Sequence, residues 1–393
     1  MKKIVVFGAV KSVLKRAKEL GYETFVIEAN PSLNKCEFMD HFKCIGFDQY
    51  EECLEYIKTL DIDGIVNATE FAVIVAAYVT EKLGLPGIKL ETAKMVKDKY
   101  LVRQILNEKG IQSIPQFFEI TDITDLEKIK NEILFPVIIK PGMGLGSLFV
   151  YKIENYNQLK EKCLMVLENS FNKKALIETY IQGKEYGAES FVYQGEIYVL
   201  AIMEKLMTNT QYCVELGHNT PPDISNELKL KIENEVKKII RALDLTYGPI
   251  NMDIIINEEG KVYIVDIGAR MGGNAINTHI IPNYIGIDHV GNTIKLALND
   301  NTIDLEPKFE QFIATRQLDL KPGKIVKIPD LSKLYGENII DICFEKKQGD
   351  IIKEYTSNAD RAGFVVVKGK DIQDAKRRAL ELRNCIDNLI ERE

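Results

Sequence analysis

Phe135-Pro136-Val137-Ile138-Ile139-Lys140-Pro141-Gly142-Met143-Gly144-Leu145-Gly146-Ser147 is an apolar strand ending in a lysine, followed by three spaced glycines and a serine. Glycine lets the main chain approach closely, so backbone N–H groups in such a turn can converge on phosphate oxygens. A lysine at the strand end adds a point charge for the same phosphates. A β-hairpin turn with an exposed lysine is the ordinary alternative. The stretch is not a P-loop, which needs Gly-Lys-Ser/Thr opening a helix.

Outward from this point, strand and helix alternate over the first ninety residues, as expected for a parallel sheet with helices on both faces. The turn Gly8-Ala9-Val10-Lys11-Ser12 lacks the second and third glycines of a dinucleotide fingerprint, which argues against NAD. Leu83-Gly84-Leu85-Pro86-Gly87 ends this unit with turn chemistry. A single helix is expected over 91–109, β-rich structure over 175–203, a polar loop over 207–222, a helix over 223–243, and a hairpin at 250–267. From about residue 309 the pattern is a small α+β unit ending in a charged helix.

Two further stretches carry chemistry. Ile177-Glu178-Thr179-Tyr180-Ile181-Gln182-Gly183-Lys184-Glu185 is a strand end whose backbone can read an adenine edge. Glu178 could accept from the exocyclic amine and Glu185 from ribose hydroxyls; taken alone, two solvated carboxylates are the commoner reading. In the hairpin, Asp253 and Asp266 alternate with isoleucine and valine, so both project from one sheet face where unpaired carboxylates are costly. Magnesium offsets that cost, taking one or two carboxylates plus phosphate oxygens; a lysine or arginine partner for each acid is the alternative. Arg270 follows closely enough to reach the same pocket.

Asn67-Ala68-Thr69-Glu70 ends a strand facing the expected cleft. Glu70 is a candidate for a substrate amine, and a carboxylate favoured at a helix N-terminus explains it equally well.

Composition narrows the field. The chain has 393 residues, long enough for two or three packed units, and a formal net charge of −7, which argues against nucleic acid as main partner. No stretch reaches the about 18 apolar residues of a membrane span. The seven cysteines form no CxxC pair, as expected for reduced thiols in a cytoplasmic protein.

Taken in order, these segments resemble the ATP-grasp superfamily over about residues 2–300. The matches are the Leu-Gly-Leu-Pro-Gly turn, Asp98-Lys99 opening a helix, Lys140-Pro141, the glycine-rich loop, the Glu178-x-x-Ile181 segment and the acidic strand pair. The resemblance implies an N-terminal parallel α/β domain (1–90) and an ATP-grasp domain (91–308). The latter would comprise a lid at about 115–182 and a β-rich part at about 183–308, before a C-terminal α+β domain (309–393).

It further implies that Lys99 and Lys140 hold ATP phosphates, with Lys140 sharing in catalysis, and that the loop containing Gly142, Gly144, Gly146 and Ser147 covers them. Glu178, Tyr180, Ile181 and Glu185 would hold adenosine. Asp253 and Asp266 would hold one or two Mg2+ ions, with Mn2+ as a substitute, and Arg270 would stabilise an acyl phosphate. One departure stands out: Gly268 replaces an asparagine common in the family and offers no side-chain oxygen to a second metal.

Val214-Glu215-Leu216-Gly217-His218-Asn219-Thr220 is similar to the L-amino acid ligases, relatives of D-alanine–D-alanine ligase and biotin carboxylase. That places His218 on the substrate side, with Lys205, Gly272, Gly273 and Asn274 nearby. His279 could line the pocket; His41 and His289 carry no signal.

The expected activity is ATP-dependent ligation of a small carboxylate to an amine, an amino acid being one substrate. Bicarbonate activation is the alternative chemistry on this fold, and a non-catalytic nucleotide binder a second. A homodimer is a family expectation.

Overall fold

The computed structural model describes residues 1–144, 148–208 and 214–393. Gly146 and Ser147 therefore lie outside the described residues.

The chain opens with β1 (Lys3–Phe7), α1 (Lys11–Glu19), β2 (Glu23–Glu28), β3 (His41–Cys44), α2 (Tyr50–Lys58), β4 (Gly64–Asn67) and α3 (Val73–Leu83). The strands form a parallel sheet in the order β3-β2-β1-β4. β1 reads as a continuous apolar run because helices bury both its faces.

The expected helix over 91–109 is two helices, α4 (Leu90–Lys97) and α5 (Lys99–Glu108). Asp98 separates them in an extended conformation, and its Oδ1 accepts from the N–H groups of Tyr100 and Leu101. A carboxylate satisfying two otherwise orphaned donors starts a new helix where apolar periodicity alone runs on. The break turns Lys99 out as the first residue of α5.

Next come β5 (Phe117–Ile120), α6 (Asp125–Ile129), β6 (Val137–Pro141), β7 (Tyr151–Ile153), α7 (Tyr156–Glu168) and β8 (Ala175–Thr179). Their strands form an antiparallel sheet, β5-β8-β6-β7.

The rest is built on β9 (Gly183–Tyr193), β10 (Glu196–Met207), β11 (Glu215–Thr220), α8 (Asn226–Ala242), β12 (Gly248–Asn257), β13 (Val262–Gly268), α9 (Ile281–Ile285) and α10 (His289–Ala297). β14 (Phe312–Gln317), β15 (Gly323–Lys327), β16 (Ile339–Phe344), β17 (Ile351–Ile352), β18 (Gly363–Gly369), α11 (Ile372–Leu389) and β19 (Glu391–Arg392) complete it. One eight-stranded sheet, β13-β12-β9-β10-β11-β14-β18-β16, runs across the expected boundary at residue 308.

β11 corrects the expected loop at 207–222. Its string Glu-Leu-Gly-His-Asn-Thr is polar yet almost wholly buried, because β10 and β14 flank it. Gly217 is required there: at φ +146° its backbone lies so close to β14 that a Cβ would sit 2.1 Å from the Thr315 carbonyl.

Candidate active site

The β5–β8 sheet faces the edge of the eight-stranded sheet across a cleft. Among its lining residues are Lys99, Lys140, Gly144, Glu178, Tyr180, Ile181, Glu185, Lys205, Asp253 and Asp266. The space is roughly 950 Å³ with its open mouth included, at the large end for small-ligand sites. A smaller pocket continues from it, sharing Lys99, Gly144, Asp253 and Asp266 and adding Glu70, Lys97, Asn251, Gly268 and Arg270.

At the floor, β12 and β13 pair so that Asp253 stands opposite Asp266. The register shifts just after Asp253, leaving Val265 as an extra residue on β13. The Val265 carbonyl accepts from Lys140 Nζ (3.0 Å) and Arg103 Nη2 (2.7 Å). Asp253 Oδ1 lies 2.8 Å from Lys205 Nζ, and Asp266 Oδ1 lies 2.8 Å from Lys99 Nζ. The two acids thus share one face as expected, each against a lysine.

Glu178 lines the cleft near the end of β8. Its carboxylate is buried between Arg103 Nε, 2.6 Å from Oε1, and Lys140 Nζ, 2.5 Å from Oε2. Both oxygens are engaged by cations, so the carboxylate fixes the position of Lys140. Burial alone would raise its pKa; Arg103 and Lys140 more than offset this and hold it below the usual glutamate value. Burial pushes Lys140 below the usual lysine value even with Glu178 beside it. Arg103 was missed in the sequence: nothing local marks a helical arginine whose partner lies 75 positions away.

Lys205 keeps its charge. Burial would lower its pKa, but Asp253, Glu215 and Glu185 surround it and raise it well above the lysine range. Glu185, inside the cleft, is raised by burial, with Asp253 and Glu215 adding to the shift. Tyr180 and Ile181 follow β8 and line the cleft through the segment that leaves the strand.

In the second pocket, Glu70 accepts from Lys97 Nζ at 2.6 Å and from Arg270 Nε at 2.5 Å. Engaged with two cations, it holds Lys97 and Arg270 together in this pocket. Lys97, missed in the sequence, brings a third cation beside Lys99 and Arg270. A Cβ at Gly268 would lie 3.4 Å from both Arg270 Cζ and Glu70 Oε2, so a side chain there would face this ion pair.

His218 lies on β11, beside the cleft-lining Lys205 of β10. It is 1% exposed, sits opposite Lys205 in the β10–β11 pairing, and lines neither pocket. Burial lowers its pKa, favouring the neutral ring, and its Nδ1 is 3.4 Å from Glu215 Oε1. Its neighbouring acid on β11 is Glu215. That residue, unassigned in the sequence, is 3.7 Å from Lys205 and accepts from Asn274 Nδ2 at 2.8 Å.

The C-terminal segment reaches this cluster. Arg361 donates to Asn274 Oδ1 at 2.8 Å, and the Tyr355 hydroxyl donates to the Glu215 carbonyl at 2.9 Å. Gly272 packs on Glu189, while Gly273 is exposed. His279 bonds Asp341 and lines neither pocket.

Among the described residues no group of three or more His, Cys, Asp or Glu is arranged to hold a metal. Asp253 and Asp266 are two hard carboxylates on a shared pocket wall, the donor set magnesium accepts when phosphate oxygens supply more ligands.

Comparison with known proteins agrees with this architecture. The ATP-grasp domain model matches residues 133–278, and that of the L-amino acid ligase C-terminal domain 2 matches residues 316–388. The L-arginine-specific L-amino acid ligase of Bacillus subtilis is 23% identical over 320 residues, spanning 78% of this chain and 75% of that protein. The crystal structure of an L-amino acid ligase from Bacillus licheniformis superposes with a TM-score of 0.86 at 21% identity, covering 100% and 99% of the two chains. An ADP complex of N5-carboxyaminoimidazole ribonucleotide synthetase superposes at 0.78 with 14% identity, covering 99% and 97%. The chain thus carries an ATP-grasp domain that contributes most of the cleft, followed by a segment similar to the C-terminal domain of L-amino acid ligases.

Proposed function

We propose that the protein is an ATP-dependent carboxylate–amine ligase that forms an amide through an acyl phosphate, with an amino acid as one substrate. One observation carries the reading: a nucleotide-sized cleft containing three lysines opens directly into a second pocket containing Lys97, Lys99 and Arg270. A γ-phosphate and a carboxylate entering from the two sides would meet between Lys99 and Arg270.

Lys99, Lys140 and Lys205 bind the phosphates, and the backbone after β8, with Glu185, holds adenosine. Gly144 lines the cleft beside them. A substrate carboxylate oxygen bonds to the γ-phosphorus as the bond to the ADP oxygen breaks. The amine nitrogen then bonds to the acyl carbon, phosphate leaves, and the amine proton departs with it. Arg270 stabilises the oxyanion formed in between.

Binding of the phosphates draws Lys99 and Lys205 away from Asp266 and Asp253. Those carboxylates would then hold Mg2+, which supplies charge neutralisation at the transferring phosphoryl group. Lacking a side-chain ligand at position 268, a second ion would depend on Asp266.

Phosphate release, measured with amino acids singly and in pairs, tests the proposal. Release that needs both a carboxylate and an amine supports it. Release with bicarbonate alone would establish the carboxylase alternative, and nucleotide binding without turnover on any pair would reduce the protein to a binding module.

A further inference from the structure

A carboxylate unconnected with nucleotide binding lies at the centre of the large sheet. Glu189, on β9, has no exposed surface. It accepts from the Gly272 N–H at 3.0 Å (Oε1) and 3.2 Å (Oε2), from Asn251 Nδ2 at 3.0 Å, and pairs with His289 Nε2 at 2.7 Å. His289, the first residue of α10, is equally buried and stands edge-on to Phe191. A carboxylate buried this completely is tolerated only when its lone pairs are satisfied, as they are here.

The arrangement is specific to its loop. A Cβ at residue 272 would lie 2.7 Å from Glu189 Oε2 and 2.9 Å from Asn251 Nδ2, so only glycine lets the main chain settle on the carboxylate. Two residues before it is Arg270, whose Nη1 donates to the Met271 carbonyl, in the peptide joining the two anchored residues. Asn251 lines the second pocket two positions before Asp253. Glu189 therefore fastens both the arginine loop and part of the pocket floor. At the same end of α10, Asp288 accepts from Arg16 Nε at 2.8 Å, tying the node to α1 of the N-terminal sheet.

We propose that Glu189 and His289 form a buried positioning pair for Arg270, holding the 270–274 loop where the guanidinium meets the reacting carboxylate. Neither touches substrate; both act through the Gly272 peptide. This rests on the role given to Arg270 above.

The test is a double-mutant cycle of Glu189→Gln with Arg270→Lys, read as kcat and KM by phosphate release and as ADP affinity by calorimetry. Glutamine keeps the shape of Glu189 but turns an NH2 donor toward N–H groups that need an acceptor. The expected result for Glu189→Gln is a kcat lower by roughly 10- to 100-fold, the scale of a small misplacement of a catalytic group. ADP affinity should stay within about twofold, since the node does not line the nucleotide cleft. The double variant should be no slower than Arg270→Lys alone.

Multiplicative losses would overturn positioning while leaving the role of Arg270 intact. Full turnover of Arg270→Lys would overturn that role and the proposal with it. Should Glu189→Gln not fold, the cycle is run with His289→Leu, which removes the imidazole donor. His289→Gln, which keeps a donor for Glu189, should recover most of the activity; no recovery would count against the pair.

Discussion

Replacing Glu178 with glutamine removes the one anion shared by two buried cations. In the native protein Arg103 and Lys140 lie 2.6 and 2.5 Å from its two oxygens, and the Val265 carbonyl is their common second acceptor. Removing one partner of a buried pair costs about 3–5 kcal/mol, because the remaining charge stays out of water. Arginine does not release its proton, so the adjustment falls on Lys140, whose pKa burial already lowers. A neutral Lys140 loses a charged hydrogen bond to phosphate, about 1.5–3 kcal/mol, or roughly 10- to 150-fold in ATP affinity.

Both effects are measurable, by urea unfolding and by calorimetry with ATP. The affinity deficit should grow at alkaline pH and shrink as pH falls and protonation restores Lys140. Glu178 is itself held below the ordinary glutamate range, so its contribution to stability is present above that range. The part of the stability gap between native protein and Glu178→Gln that comes from the carboxylate should therefore close as pH falls through the lowered value. A stability loss under about 1 kcal/mol, or a gap that widens in acid, would refute the reasoning.

Asp98→Ala removes the cap of α5 and should cost about 1 kcal/mol in thermal unfolding, while Asp98→Asn should recover most of it. Gly217→Ala drives a methyl group into the Thr315 carbonyl and should lower stability by roughly 2–5 kcal/mol, read from the urea midpoint. EDTA should abolish turnover, and Asp253→Asn or Asp266→Asn should raise the magnesium needed for half-maximal rate, as expected when one or two carboxylates carry the ion. Unchanged magnesium dependence in both variants would place the metal elsewhere.

What the sequence made legible was local. The paired acids of β12 and β13 stand out because they interrupt alternating apolar residues, and Lys140 because it closes an apolar strand before glycines. β11 was hidden, since Glu215, His218 and Asn219 read as solvated until β14, almost a hundred residues later, pairs beside them. The helix break at Asp98 was masked by apolar spacing that continues through it.

The roles of Glu178, Glu70 and Glu189 depend on partners 75, 200 and 83 positions away, and no periodicity reports such distances. His218 followed the same rule in reverse. A histidine in a polar string reads as exposed, and only the flanking strands show that it is buried behind Glu215.

The central claim is that a carboxylate oxygen attacks the γ-phosphate. With an active substrate pair in hand, the carboxylate substrate is labelled with 18O and the released phosphate is analysed by mass spectrometry. An acyl phosphate requires one labelled oxygen to pass from the carboxylate into each phosphate during a single turnover. Unlabelled phosphate, or label appearing in AMP instead, would contradict the account.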